Sequence, residues 1–192
     1  MRSIFLSASV PLPDRDPRYY DTADVISIRD AVRAVAAVVL PHAELHWGGH
    51  PSITPLIRSV AEDVGLLSSV HVNLYQSAYF IGQLPAENEA FERITMVPAM
   101  NTREASLEEM RRVMLSAARF DAAIFIGGME GVEDEFSLFR AAYPGITALP
   151  IASTGAAARV LYDRHREELK LPSSLVNEYT YPSLFRRLIP AL

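Results

Sequence analysis

The sequence predicts an α/β fold with a doubly wound, mainly parallel sheet and helices on both of its faces. Two observations predict this fold. Short apolar runs of four or five residues recur along the chain, as expected for buried parallel strands. Between them lie longer segments whose apolar residues repeat at helical spacing. Such alternation supplies the crossover connections that parallel neighbours require, and 192 residues suit one domain.

Six strands are predicted in chain order. The first enters a proline-rich loop at 10–21, and the second and fifth each end in a pair of glycines. The segment 79–91 has no clear period and is interpreted as a loop with one helical turn beginning near Pro85. The predicted strands are 4–8, 44–47, 70–74, 94–97, 122–126 and 147–151.

Helices are predicted from apolar periodicity together with start and stop residues. The first follows Asp24 as N-cap and stops before Pro41, and the second takes Thr54 as N-cap and ends at Gly65. A capping box at 106–109 opens a third. Two more helices are predicted, over about 132–143 and from the Ser153-Thr154-Gly155 cap to about residue 169.

The predicted elements together define a Rossmann-like domain over residues 1–170. Residues 171–192 form a tail with a short amphipathic piece, which carries Leu184, Phe185, Leu188 and Ile189. We expect this tail to pack on the domain or to form an oligomer contact.

The composition and charge of the chain exclude several kinds of site and disfavour several kinds of partner. The chain has no cysteine, which excludes disulfides, thiol catalysis and thiolate metal sites. Its formal charge of -5 argues against a nucleic-acid groove, which needs a basic field. No targeting segment and no apolar run long enough to cross a bilayer is visible, so we expect a cytoplasmic protein without membrane contact. The five histidines lack metal-ligand spacing and no P-loop is present, so we expect neither a metal nor a cofactor.

Candidate ligand-binding residues lie at the predicted strand ends. In open α/β sheets a ligand binds outside the carboxyl ends of the strands, and glycine lets the backbone approach a phosphate there. The helix that follows each turn adds free amide groups and a partial positive charge. The same residues also suit simple turns. The candidates are Ser7, Ser9, Gly48, Gly49, His50, Gly127, Gly128, Glu130, Gly131, Ser153, Thr154 and Gly155.

The segment from Phe125 to Phe136, FIGGMEGVEDEF, resembles the Gly-Gly-x-Gly-Thr-x-x-Glu motif of the LOG-type phosphoribohydrolases. Their wider superfamily, SLOG, includes the DNA-processing protein DprA and nucleotide-sensing domains of bacterial conflict systems. Arg111-Arg112 lies at about the distance where those enzymes carry Arg-Lys, and Glu135 keeps the spacing of their active-site glutamate. The openings FLSASVP at 5–11 and WGGHP at 47–51 look most like the sensing branch.

The motif departs from the hydrolase pattern at three points. One extra residue separates Gly128 from Gly131, the usual proline is Ile126, and the usual threonine is Val132. The threonine change removes a hydroxyl that would bond phosphate or ribose. In the hydrolases the glutamate at this spacing acts on the N-glycosidic bond, whereas here Glu135 would hold ribose hydroxyls.

Carboxylates crowd the start of the helix after this turn, at Glu130, Glu133, Asp134 and Glu135. They stabilise the helix dipole but would repel a phosphate on that turn. We therefore expect any phosphate on Gly48-Gly49, on 153–155, or beside Arg103 or Arg111, with the acidic side facing ribose or base.

The resemblance implies a sensor domain for a nucleotide-derived second messenger, such as a cyclic ADP-ribose-like molecule, in bacterial antiphage defence. It further implies a homodimer and an effector protein as partner. The alternative is a LOG-like enzyme that hydrolyses the N-glycosidic bond of a nucleotide, or a deoxyribosyltransferase-like variant of it, with Glu135 as catalytic residue and Arg111 or Arg103 on phosphate. A third reading, a DNA-handling domain like DprA, is disfavoured by the acidic charge.

Overall fold

A computed structural model describes residues 1–66 and 71–189 of the chain. The six strands form one fully parallel sheet in the order β4-β3-β2-β1-β5-β6. Their bounds are β1 Arg2–Ser9, β2 Ala43–Trp47, β3 Val72–Ser77, β4 Ile94–Val97, β5 Ala122–Gly127 and β6 Thr147–Ile151. This confirms the predicted Rossmann-like α/β fold. Val70, the first residue of the predicted third strand, lies outside the described residues.

Eight α-helices connect and cover these strands within the described ranges. They are α1 Pro17–Tyr20, α2 Val25–Val39, α3 Thr54–Asp63, α4 Arg103–Ser116, α5 Glu130–Ala142, α6 Ala156–His165, α7 Ser174–Asn177 and α8 Tyr181–Leu188. Three 3-10 segments, Ala78–Gln83, Ala86–Ala90 and Ala152–Thr154, lie in the loops. The first two replace the single helical turn predicted for 79–91.

The first helix prediction is confirmed, because the Asp24 side chain accepts a hydrogen bond from the amide of Ser27 at the start of α2. Two cap predictions are wrong. The N-cap of α3 is Ile53, which places Thr54 inside the helix. The true cap of α4 is Thr102, four residues before the predicted Ser106, whose hydroxyl instead bonds the carbonyl oxygen of Thr102 at 2.7 Å. The side chain of Thr102 accepts a hydrogen bond from the amide of Ala105, so the helix begins before the predicted capping box.

Side chains alternate along the sheet and fill two cores, one on each face. In β1, Ile4 and Leu6 belong to the core shared with α2, α3 and α8, whereas Phe5 belongs to the core shared with α4 and α5. Both faces of the central strands are therefore buried, as in a doubly wound sheet. The described part of the chain contains no helix long and apolar enough to cross a membrane.

Strand order fixes where the chain changes direction. From β1 to β4 it winds outward on one side, and it then crosses back so that β5 pairs with the other edge of β1. The switch point lies between β1 and β5, where the loops after the two strands diverge and leave a crevice.

The tail packs on the domain. Leu184 and Phe185 of α8 are fully buried in the core that also contains α2. Tyr181 places its hydroxyl 3.1 Å from that of Ser153, at the end of β6. The tail thereby covers the β6 side of the sheet.

Candidate functional site

A cleft of about 200 Å³ opens beside the switch point, above the carboxyl ends of β1 and β2. Helices α4 and α5 form its other wall. Ten of the residues predicted for the site line it together: Ser7, Ser9, Gly48, Gly49, His50, Arg103, Arg111, Glu130, Gly131 and Glu135. The topology thus brings four separate segments of the chain to one place.

An ion pair between Arg111 of α4 and Glu135 of α5 forms the floor of this cleft. The guanidinium Nε lies 3.3 Å from the Glu135 carboxylate, and the two side chains are only 13% and 15% exposed. Arg111 also bonds Asp134 at 3.3 Å. Burial raises the pKa of Glu135 above its usual range, and the nearby Arg111 charge offsets that shift only in part. The pair therefore holds a carboxyl group that takes up a proton more readily than usual.

Two polar atoms in the cleft wall have no hydrogen-bond partner among the described residues. They are the hydroxyl of Ser7 and the indole nitrogen of Trp47, and both are buried. The Ser7 hydroxyl lies near the Glu135 carboxylate and helps lower its pKa, but it makes no bond of ordinary length and angle. Buried polar groups are nearly always paired, so these two atoms are unusual features of the cleft wall.

The turn after β5 contributes to the cleft at one end only. Glu130 and Gly131 line the cleft, whereas Gly127 and Gly128 lie below it. Gly127 and Gly128 adopt positive φ, and a Cβ on either would fall within 2.5 Å of Ile28 or Val132. Their conformation is required for the turn itself. Gly131 has a different role, because a Cβ there would meet the Arg111 guanidinium at 3.0 Å.

The Gly48-Gly49 turn forms the opposite rim. Gly49 has φ +66°, and a Cβ on it would lie 1.8 Å from the side-chain Nε2 atom of Gln76, so glycine is strongly favoured at this position. Beside it, Nδ1 of His50 accepts a hydrogen bond from the Ser52 amide at 3.2 Å and lies 2.7 Å from the Ser52 hydroxyl. Because Nδ1 accepts, the ring proton of neutral His50 belongs on Nε2. Burial lowers the His50 pKa, which favours that neutral form.

Arg103 and Arg15 supply the exposed positive charge of the cleft. Arg103 is the first residue of α4 and is half-exposed, with the Glu104 carboxylate 3.7 Å away. Arg15 reaches from the proline-rich loop to within 3.6 Å of Glu130 across the cleft mouth. Arg15 was not predicted, because the loop lacks any periodic signal that would place it over the cleft. In the same loop region, the Tyr19 hydroxyl donates a 2.6 Å hydrogen bond to Glu133 of α5.

The structure separates Ser153, Thr154 and Gly155 from the cleft. Thr154 is fully buried, accepts a hydrogen bond from the amide of Gly127 and donates one to the carbonyl of Ile151. Ser153 pairs with Tyr181. A second, polar cavity borders Ser153 and Gly155 on the tail side, so these residues do not share a cavity with Glu135. No group of three histidine, aspartate or glutamate side chains suited to a metal occurs within 1–66 and 71–189.

A cleft at the switch point of a fully parallel, doubly wound sheet defines a Rossmann-like domain whose crevice is lined by charged side chains. The chain belongs to the SLOG cluster3 family, whose model matches residues 18–189. Its fold is also similar to the crystal structure of TM1055, a structural genomics target, with a TM-score of 0.55 at 13% identity over 85% of this chain and 81% of that one. At that identity the likeness shows the fold alone. A comparison with curated proteins gave no match.

Proposed function

We propose that this protein is a sensor domain for a nucleotide-derived second messenger, a cyclic ADP-ribose-like molecule or a relative of it, in a bacterial antiphage defence system. Membership in a SLOG family supports the nucleotide class of ligand. The observation that carries the proposal is a single cleft lined by Ser7, Arg103 and Glu135 together. Such a set offers a hydroxyl, a cation and a carboxylate, which match a sugar phosphate.

Charge assigns the two ends of this ligand. Arg111 is engaged by Asp134 and Glu135, so the more open cation, Arg103, receives the phosphate beside Gly48. The carboxylate of Glu135 accepts hydrogen bonds from ribose hydroxyls, which a phosphate in the same position would not donate. Glu130, at the start of α5, keeps phosphate away from that helix end by repulsion.

Sensing agrees better than turnover with the altered motif. Val132 stands where the hydrolase pattern has threonine, and its apolar side chain is buried in one of the two cores. Glu135 is held by Arg111 in a position that suits recognition of hydroxyl groups. A sensor transmits its state, so we expect a homodimer and an effector protein as partners.

Direct binding tests this function. Purified protein is titrated calorimetrically with cyclic ADP-ribose, ADP-ribose, NAD⁺ and nucleoside monophosphates, and the mixtures are then analysed for products. We expect binding of at least one of these compounds without release of free base. Arg103→Gln should weaken that binding, whereas Arg58→Gln, a matched change in an exposed ion pair with Glu62, should leave it unchanged. Equal affinities in all three proteins would contradict the proposed phosphate position, and no binding across the panel would contradict the function.

A second function, hydrolysis of an N-glycosidic bond, is favoured by one observation. The raised pKa of Glu135 beside Arg111 suits a general acid that protonates a departing base. The same panel decides between the two. Free base that appears with wild type and disappears with Glu135→Gln would establish the enzyme, and ligand recovered intact after prolonged incubation would exclude it.

A further inference from the structure

Another space of about 230 Å³, called here the outer chamber, lies beside the cleft at the Gly48-Gly49 turn. It shares six lining residues with the cleft: Gly48, Gly49, His50, Arg103, Leu107 and Met110. The remaining wall of the outer chamber is formed by Pro51, Gln76, Phe80, Gln83, Leu84 and Pro85. The part around Ser7 and Glu135 is called the inner cleft.

The two spaces differ in chemistry. The inner cleft presents the carboxylates of Glu130 and Glu135 and the hydroxyls of Ser7 and Ser9. No acidic side chain lines the outer chamber, as far as the described residues show, and Phe80, Leu84 and Pro85 make its added wall largely apolar. Phe80 lines the chamber, is only half-buried and meets Tyr79 in an edge-to-face pair at 5.1 Å, so an aromatic ring that can stack on a planar group borders this space.

Two carboxamides lie among these apolar groups. Gln76 is 5% exposed, and its amide nitrogen reaches the Gly48 carbonyl only at 3.5 Å, the limit of a hydrogen bond. Gln83 is exposed at the rim. A ring face with carboxamides at its border is the arrangement that binds an aromatic base, since the ring stacks and the amides meet the base edge.

Arg103 stands at the junction and borders both spaces. As the first residue of α4, it adds positive charge to a helix end that is already positive, so helix stability does not explain it. An anion at that point would be attracted by both the side chain and the helix. The order along the cleft is therefore a hydroxyl-binding space, a cationic centre and an aromatic space.

We propose that the ligand is two-armed, with a sugar in the inner cleft, a diphosphate at Arg103, and an aromatic base in the outer chamber against Phe80. This inference rests on the proposed function and extends it, because it assigns the whole length of the ligand. A single nucleotide fills only one arm. The bound molecule is therefore an open sugar–diphosphate–nucleoside, a linear relative of cyclic ADP-ribose, and the outer chamber selects its base.

The test uses the full chain, calorimetry and three probes: ADP-ribose, AMP and ribose 5-phosphate. We expect ADP-ribose to bind about tenfold or more tightly than either smaller probe, because both arms contribute. Phe80→Ala should weaken AMP and ADP-ribose by about tenfold and spare ribose 5-phosphate. Ser7→Ala should do the reverse, weakening ribose 5-phosphate and sparing AMP.

Two further variants serve as controls for the Phe80 result. Ile81→Ala changes a 70% exposed neighbour on the same 3-10 segment and should leave all three affinities unchanged. Phe80→Tyr should retain AMP binding, and an unaltered melting temperature of Phe80→Ala confirms that the segment is folded. Loss of AMP binding in Ser7→Ala together with full binding in Phe80→Ala would overturn the two-armed ligand while the proposed function stands. If wild type binds none of the three probes, the two-armed ligand is overturned, and the larger panel above decides the proposed function separately.

Discussion

At the end of β2, Gly48 and Gly49 border an open cleft, whereas at the end of β6 the chain itself occupies the corresponding region. Both turns follow a buried parallel strand and precede a helix, and both carry small residues. At β6, however, the amide of Ala156 donates a 3.0 Å hydrogen bond to the Thr22 hydroxyl. The hydroxyl of Tyr181, in the tail, lies 3.1 Å from that of Ser153. At β2 no such cover occurs among the described residues, and the Ser7 hydroxyl beside it stays unpartnered.

The difference shows what a small-residue turn can and cannot indicate. A glycine or serine at a strand end creates space near the backbone, but the rest of the chain decides what fills it. At β6 the filling groups are the first loop and the tail, so the turn joins three segments of the fold. At β2 the cleft stays open. Substitutions on the two sides should therefore affect different properties.

The largest effect is expected from Gly155→Ala on the filled side. Gly155 has φ +71° and ψ -157°, and an added Cβ would lie 1.8 Å from the Thr22 carbonyl oxygen. We expect a loss of about 3 kcal/mol or more in the free energy of unfolding, measured by urea denaturation. Gly48→Ala is the control on the open side, because Gly48 does not have a positive φ and its Cβ would meet the flexible end of Met110 at 3.2 Å. Its loss should stay below about 1 kcal/mol, and equal losses would contradict the comparison.

A smaller loss is expected from Thr154→Val. This change keeps the side-chain shape but removes the acceptor for the buried amide of Gly127, now 2.9 Å away. We expect the free energy of unfolding to fall by about 2 kcal/mol, because a buried donor is left unpaired. Thr95→Val, at an exposed position of the edge strand β4, serves as control and should change stability by less than about 0.5 kcal/mol. A neutral Thr154→Val would show that the hydroxyl does not anchor the turn.

The open side should show its own pH dependence through Glu135. Its pKa is raised in the folded protein above the ordinary 4.5, so between those two values the folded state holds a proton that the unfolded state has lost. The stability contributed by this group is full below 4.5 and is lost as pH rises through the folded pKa. We expect the difference in unfolding free energy between wild type and Glu135→Gln to shift against wild type as pH rises. A difference that stays constant with pH would contradict the raised pKa.

The fold followed from periodicity, since six apolar runs with helical segments between them admit few arrangements other than a parallel sheet. The site followed only in part. Ser7, Gly48 and Glu135 were predicted from strand ends and motif spacing, which are local signals, and the structure places them in one cleft. Arg15 was not predicted, since no local pattern states that this loop residue will lie 3.6 Å from Glu130. Residues 153–155 were predicted as a possible phosphate-binding turn, but the tail packs against them. No local pattern in the sequence states where residue 181 will pack.

The smallest change in stability, with the clearest change in binding, is expected from Ser7→Ala. Thr154 and Ser7 are both buried hydroxyls at strand ends, but Thr154 makes two hydrogen bonds of ordinary geometry, whereas Ser7 lies near the Glu135 carboxylate without forming one. Because Ser7 forms no hydrogen bond of ordinary geometry within the protein, the unfolding free energy should move by less than about 0.5 kcal/mol in Ser7→Ala. Affinity for ADP-ribose should nevertheless fall by about tenfold, because the ligand loses its bond to this atom. Thr154→Val should show the converse, lower stability with unchanged affinity per folded molecule. If Ser7→Ala instead destabilises the fold as Thr154→Val does, the hydroxyl belongs to the protein's own bonding, and the open side of the sheet differs from the filled side in shape alone.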